Sequence, residues 1–223
     1  LNFSVKGSPA QLVSSVSNKQ AFTYDADNHY DEEQIKICIP KGSLYSNVNF
    51  EYSRGPQLPG SYSAQHRIHR GSTPVHRPYE IAIKADASLS KELESKALIV
   101  NSSGQSQGGV FEKGFVSTEL KTFGTFYIKV DTIPPRIIPV NINDGKIMTG
   151  ISQMIFKIAD NLSGIATFKG KIDGQWVLME YDQKSATLWH RFDERTLPGK
   201  HQLELVVVDK KGNEKTFNAN FTL

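Results

Sequence analysis

A chain of 223 residues, 38% hydrophobic and 22% charged, is long enough for one large or two ordinary domains with real cores. A net charge of +3 is far from the concentrated Lys/Arg footprint of a nucleic-acid binder, and no run reaches the apolar length of a membrane span. The single cysteine, Cys38, excludes an internal disulfide.

The chain opens on LNFSVKGSPA, with neither Met nor a signal peptide, which reads as a piece trimmed from a longer protein. Strands are expected from Leu12 to Ile39, ending in IKICI (Ile35–Ile39), where Cys38 reads as a small buried hydrophobe. Asp25, Asp27, Asp31, Glu32 and Glu33 form a solvated acidic stretch without the spacing of a calcium loop. VNFEY (Val48–Tyr52) and YEIAIKA (Tyr79–Ala85) alternate with period two, the mark of half-buried strands. Between them runs a Gly/Pro/His segment, Arg54–Pro78, which reads as one long loop. SLSKELESKA (Ser88–Ala97) is the only candidate for a short helix, and Asn101–Gly109 is a polar hairpin loop. TFYIKV (Thr125–Val130) is followed by DTIPP, whose two prolines cannot lie inside a central strand. The division is therefore 1–130, a linker at 131–135, and 136–223.

About seven strands follow, near Ile137–Val140, Met154–Ala159, Ala166–Ile172, Trp176–Tyr181, Ala186–Phe192, His201–Asp209 and Lys215–Leu223. Asp173-Gly174 and the DKKGN of Asp209–Asn213 are hairpin turns, and Leu197–Lys200 is a further turn. VDTIPPRI, FKIADNLSGI and VVVDKKGNEKTF read as the first strand, an early loop and the last hairpin of an immunoglobulin-like sandwich. The fold class is all-β, two tandem β-sandwiches, the second immunoglobulin-like.

Candidate sites are few. His66, His69 and His76 share the expected long loop, and three imidazoles suggest zinc, but Arg67, Arg70 and Arg77 interleave them and repel a cation. Arg67, His69, Arg70, His76 and Arg77 are instead candidate contacts for an anionic or polysaccharide ligand. Asp131, Asp160 and Asp209 each end a strand, where aspartates cap turns or share a calcium. Trp176, Tyr181 and Trp189 fall on neighbouring strands and suggest a sugar-stacking face, although a sandwich core usually wants one Trp inside. No phosphate loop, nucleophile elbow, paired carboxylates or triad emerges, so no catalytic, cofactor or metal residue is assigned.

IKICIPKGSLYSNVNFEYS, followed by TPVHRPYEIAIKA, resembles the sandwich of ankyrins and netrin receptors. A second resemblance covers nearly the whole chain. VHRPYEIAIKA, GGVFEKGFVSTELKTFGTFYIKVDTIPPRI, FKIADNLSGI, IDGQWVLMEYD and LPGKHQLELVVVDKKGN resemble the C-terminal accessory half of exported lysostaphin-type zinc metallopeptidases from Gram-negative gut bacteria. The peptidase signature, His-x-x-x-Asp with a later His-x-His, is missing, and the nearest approach is His29 to Glu33. The resemblance thus implies a non-catalytic, exported region, periplasmic or at the cell surface. It would position a peptidase or contact peptidoglycan, surface polysaccharide or another envelope protein. A carbohydrate-binding or adhesion module, and a metal-dependent hydrolase built on His66, His69 and His76, are the alternatives.

Overall fold

The computed structural model describes residues 18–223. The part of the Leu12–Ile39 strand region before Asn18 lies outside them. The chain forms two compact units. Unit 1 comprises the described residues up to Lys91 together with Leu98–Lys129, and unit 2 comprises Glu92–Ala97 with Val130–Leu223. Among the described residues nearly all regular structure is strand, as the alternation requires, and the exception is one 3-10 helix, Lys91–Lys96, inside the expected helical stretch. No helix among the described residues is long and apolar enough to cross a membrane.

Unit 1 is a sandwich of two five-stranded sheets. One has the order β1 (Asn18–Phe22), β4 (Val48–Gln57), β5 (Ala64–Ile68), β10 (Gly124–Val130), β7 (Ala97–Asn101). The other has the order β2 (Asn28–Glu32), β3 (Ile35–Ile39), β6 (Pro74–Lys84), β9 (Phe115–Thr122), β8 (Val110–Glu112). In β3, Ile35, Ile37 and Ile39 point into the core while Lys36 is exposed. Cys38 shares the outer side with Lys36 and is half-buried, not a core residue as its apolar neighbours suggest. Rings close the interior: Phe22 stacks on Phe50 at 4.3 Å, and Tyr30 of the opposite sheet meets Phe50 at 5.5 Å.

The expected long loop between Arg54 and Pro78 does not exist. Strand β4 runs through to Gln57, β5 occupies the middle, and β6 begins at Pro74. The prolines sit at irregularities in the ladder. Pairing between β4 and β5 shifts between Arg54 and Gln57, around Pro56, and pairing between β6 and β9 shifts between Pro74 and Tyr79, around Pro78. A bulge tolerates a residue without an N–H donor, so the strands continue past the breakers.

Unit 2 has the sheet orders β11 (Arg136–Pro139), β13 (Gln153–Ala159), β17 (Thr187–Arg191), β16 (Glu180–Asp182) and β12 (Lys146–Ile147), β19 (Glu214–Thr222), β18 (Lys200–Asp209), β14 (Ile165–Ile172), β15 (Gln175–Val177). These are the A-B-E-D and G-F-C sheets of an immunoglobulin-like sandwich, with a short strand added at each edge of the second. Asp131–Pro135 has no regular structure. Asp173 and Gly174 take φ values of 51° and 78°, the positive pair of a two-residue hairpin turn that links Ile172 to Gln175.

One strand expectation needs correction. Trp176–Tyr181 is not a single strand but β15 and β16, in different sheets, with Leu178 and Met179 carrying the chain across. Met179 is buried and fills the space over Gly170, where an added Cβ would lie 2.7 Å from its Sδ. The core holds Met154, Phe156, Leu188, Leu205 and Phe221 but no tryptophan. Trp176 is 60% exposed and Trp189 half-buried, while Tyr181 packs against the core.

Candidate functional site

The candidate contacts of unit 1 are dispersed by the strands that replace the loop. His66 and Arg67 lie on β5 in one sheet, His76 and Arg77 on β6 in the other. His66 is fully buried and shares a 2.8 Å hydrogen bond with the Tyr52 hydroxyl. Burial, with Arg54 adding repulsion, depresses its pKa to about 4, so the ring is neutral inside. Burial likewise pushes the Tyr52 phenol up to about 12. His69 takes a φ of 49°, stacks on Phe50 and meets Phe123 edge-on at 5.2 Å. It is buried too, and burial lowers its pKa. Arg70 is held by Glu51 at 3.1 Å. His76 is exposed against Tyr45, and Arg67 and Arg77 are exposed. The three imidazoles therefore make no metal set. His69 and Arg70 alone share a groove, about 500 Å³, whose other charged walls are Lys19 and Glu51. Cys38 lies in a second groove with Asp31, Lys36 and Glu80. Burial, then Glu80, raises its thiol pKa and so disfavours the thiolate.

The three strand-end aspartates do converge, all within unit 2, with one carboxylate oxygen of each within 4.8 Å of the others. Each caps a turn. Asp131 accepts from the Ser163 amide at 2.9 Å, and Asp160 Oδ2 accepts from the amides of Leu162 and Gly164 at 3.0 and 2.8 Å. Asp209 accepts from the amides of Lys211 and Asn213 at 2.7 and 2.9 Å and from Asn213 Nδ2 at 2.7 Å. Asn213 Nδ2 also donates to the Asp131 carbonyl at 2.9 Å, tying the last hairpin to the segment before the double proline. Positive charge is supplied locally. Lys96 Nζ donates to the Lys211 carbonyl, and Lys211 is buried enough that its ammonium pKa falls despite the pull of Asp131 and Asp209. The carboxylates have the oxygen chemistry of a hard divalent cation, and two buried oxygens, Asp160 Oδ1 and Ser163 Oγ, lack partners. The other carboxylate oxygens named above accept from backbone amides and from the Asn213 side chain.

A cleft of about 440 Å³ opens where unit 2 carries its chain between sheets. Trp176 and Leu178, each 60% exposed, form its apolar side. Asp173, Arg191, Asp193 and Arg195 supply polar groups. His190 lies beneath, donating Nδ1–H to the Leu178 carbonyl at 2.8 Å. His201 places Nδ1 2.7 Å from Asp173 Oδ2 and Nε2 2.6 Å from the Leu197 carbonyl. Burial disfavours its charged form, but the bonds to Asp173 and Leu197 and the attraction of Asp173 outweigh that and raise its pKa. Trp189 does not join Trp176. It lies opposite Glu180, to whose Oε2 its Nε1–H donates at 2.7 Å, so the expected pair of aromatic platforms separates.

The Zu5-like domain model matches residues 19–131, just over half of the chain. The chain belongs to the Zu5-like family. The matched stretch contains both phrases that resemble the sandwich of ankyrins and netrin receptors. No curated protein matches the chain. Among solved structures, the Clostridium thermocellum CbhA fibronectin(III)-like modules are similar at 11% identity and a TM-score of 0.33, over 65% of this chain and 85% of theirs. The Zu5-like match ends at Asp131, so Asp160, Asp209 and the whole cleft lie beyond it.

Sequence reasoning missed Lys96, Ser163, Lys211 and Asn213 as neighbours of the aspartates. The phrases carrying three of them, ADNLSGI and DKKGN, were the available signal. Nothing in the sequence pattern singled out Asp173, His190, Arg195 or His201 as one group.

Proposed function

We propose that this chain is a non-catalytic accessory region of an exported cell-envelope protein, periplasmic or at the cell surface. It positions a cell-wall metallopeptidase or contacts peptidoglycan or a surface partner. The observation that carries this reading is how the reactive side chains are used. His66 and His69 pack among aromatic rings, Cys38 is held as a thiol, and the aspartates cap turns. Chemistry needs a nucleophile or acid poised beside an activating base. These groups are instead committed to folding, which supports a role carried by surfaces. The resemblance to lysostaphin-type accessory regions supports the envelope setting, and membership of the Zu5-like family supports a module rather than an enzyme.

The test is sedimentation of the purified chain with peptidoglycan sacculi, alongside an assay for released peptides and a metal analysis. The expected result is co-sedimentation without turnover. Turnover that depends on zinc and is lost in His69→Ala would establish the hydrolase instead. Failure to sediment with sacculi would remove the peptidoglycan contact.

A further inference from the structure

We propose that the cleft at the sheet crossover of unit 2 binds a neutral glycan chain, with Trp176 as the stacking platform. The inference rests on the accessory-region reading above and names its ligand.

Trp176 is the first reason. Val177 packs against the core, so alternation along β15 turns Trp176 outward, at 60% exposure. Leu178 adds a second exposed apolar surface on the same cleft. A large flat ring kept in water beside a concavity suits the apolar face of a pyranose.

The polar groups are the second reason. Carboxylates and guanidinium forks are planar and bidentate, a match for adjacent hydroxyls. Several are already held in place. Asp173 is fixed by His201 and the Gln202 amide, and Glu180 by the Trp189 indole. Groups oriented before binding lose less entropy on contact.

Charge decides the class of ligand. Asp173, Glu180 and Asp193 face Arg191, Arg195 and His201, whose two ring nitrogens both meet acceptors. The cleft is balanced, so it offers an anionic polymer as much repulsion as attraction. An extended peptide is disfavoured for another reason. The edge strands at the crossover, β15 and β16, are three residues each, too short a template for strand addition.

The experiment titrates the chain with chitotetraose and cellotetraose as neutral probes, polygalacturonate as the anionic probe and a short strand-forming peptide. Calorimetric titration gives the affinity of every variant, and protection of Trp176 from N-bromosuccinimide in the wild type locates the bound chain. At least one neutral oligosaccharide is expected to bind, with Trp176→Ala weakening it by about tenfold or more, a loss of one aromatic contact. Arg195→Ala is expected to weaken it too. Raising salt from about 0.05 to about 0.5 M should leave the affinity unchanged. The proposal is overturned by no response to either neutral probe, by equal affinity in both Trp176→Ala and Arg195→Ala, or by binding of the peptide or polygalacturonate alone. Sacculus binding separates the two conclusions. If Trp176→Ala still sediments like the wild type, the cleft assignment fails and the accessory reading stands. If chitotetraose binds but sacculi do not, the peptidoglycan contact fails and the cleft stands.

Discussion

Acid should weaken unit 1 through a single buried imidazole. His66 is 1% exposed, and burial, reinforced by Arg54, lowers its pKa from 6.5 to about 4. Between those values the unfolded ring binds a proton and the folded ring does not. Its contribution is therefore complete above the unfolded pKa and is lost as pH falls toward the folded one. Linkage for this shift gives a loss of about 2 kcal/mol by about pH 5 and about 3 kcal/mol by about pH 4, with little further change below. That is a large part of the stability of an ordinary domain.

The assay is urea unfolding at a series of pH values, comparing the wild type with His66→Gln. Glutamine cannot titrate, so the difference between the two proteins isolates the imidazole from the carboxylates and from His69, which both proteins keep. Trp176 and Trp189 are the only tryptophans and lie in unit 2, so their emission follows that unit while circular dichroism follows both. The gap between the two proteins should change by about 2 kcal/mol from about pH 7 to about pH 5, in the transition without a tryptophan signal. Parallel profiles for wild type and variant would show that His66 is protonated in the folded state and refute the reasoning.

Asp209→Ala strips the acceptor from two amides and the Asn213 side chain, and should cost unit 2 about 3 kcal/mol in urea unfolding followed by tryptophan emission; a loss under about 1 kcal/mol would mean that water replaces the carboxylate. Gly109→Ala places a Cβ 2.8 Å from Val116 Cγ1 at a φ of 135°, and should destabilise unit 1 by about 2 kcal/mol. Gly42→Ala, with φ at 77° but open space around it, should cost only about 1 kcal/mol, and equal losses at the two positions would remove the steric argument.

Period-two alternation made the fold class and most of unit 2 legible, because a sheet with one buried face imposes that period on its sequence. Six of the seven strands expected there are matched within a residue or two, and the seventh, Trp176–Tyr181, is broken in two. The Asp173-Gly174 turn was readable because few residue pairs accept two positive φ values in succession. The segment from Arg54 to Pro78 was not readable. Gly55, Pro56, Pro59, Gly60, Pro74 and Pro78 break the alternation locally, yet three of these breakers lie in β4 or at the start of β6, and Pro78 lies within β6. Proline reports that an N–H is missing. It does not report that the neighbouring strand has bulged to do without it.

The two candidate regions of unit 2 differ in legibility for a related reason. The aspartates were visible because each belongs to a local phrase, Asp-x-x-Pro-Pro, Asp-x-x-Ser-Gly and Asp-x-x-Gly-Asn, in which the carboxylate answers amides a few residues away; only their convergence needed the fold. The cleft has no local phrase. It exists because the chain leaves one sheet after Val177 and joins the other at Glu180. Met179 holds that crossover by filling the space over Gly170, a contact between two strands that periodicity along either one cannot register. Read as one uninterrupted strand, Trp176–Tyr181 makes Trp176 an alternative to Tyr181 for the core position. Once the strand is cut, each side chain is set by its own sheet: Tyr181 packs inward beside Phe168, and Trp176 is left in solvent at the mouth of the cleft. The exposed indole is thus a consequence of the crossover, and the crossover is what gives it charged neighbours from both sheets.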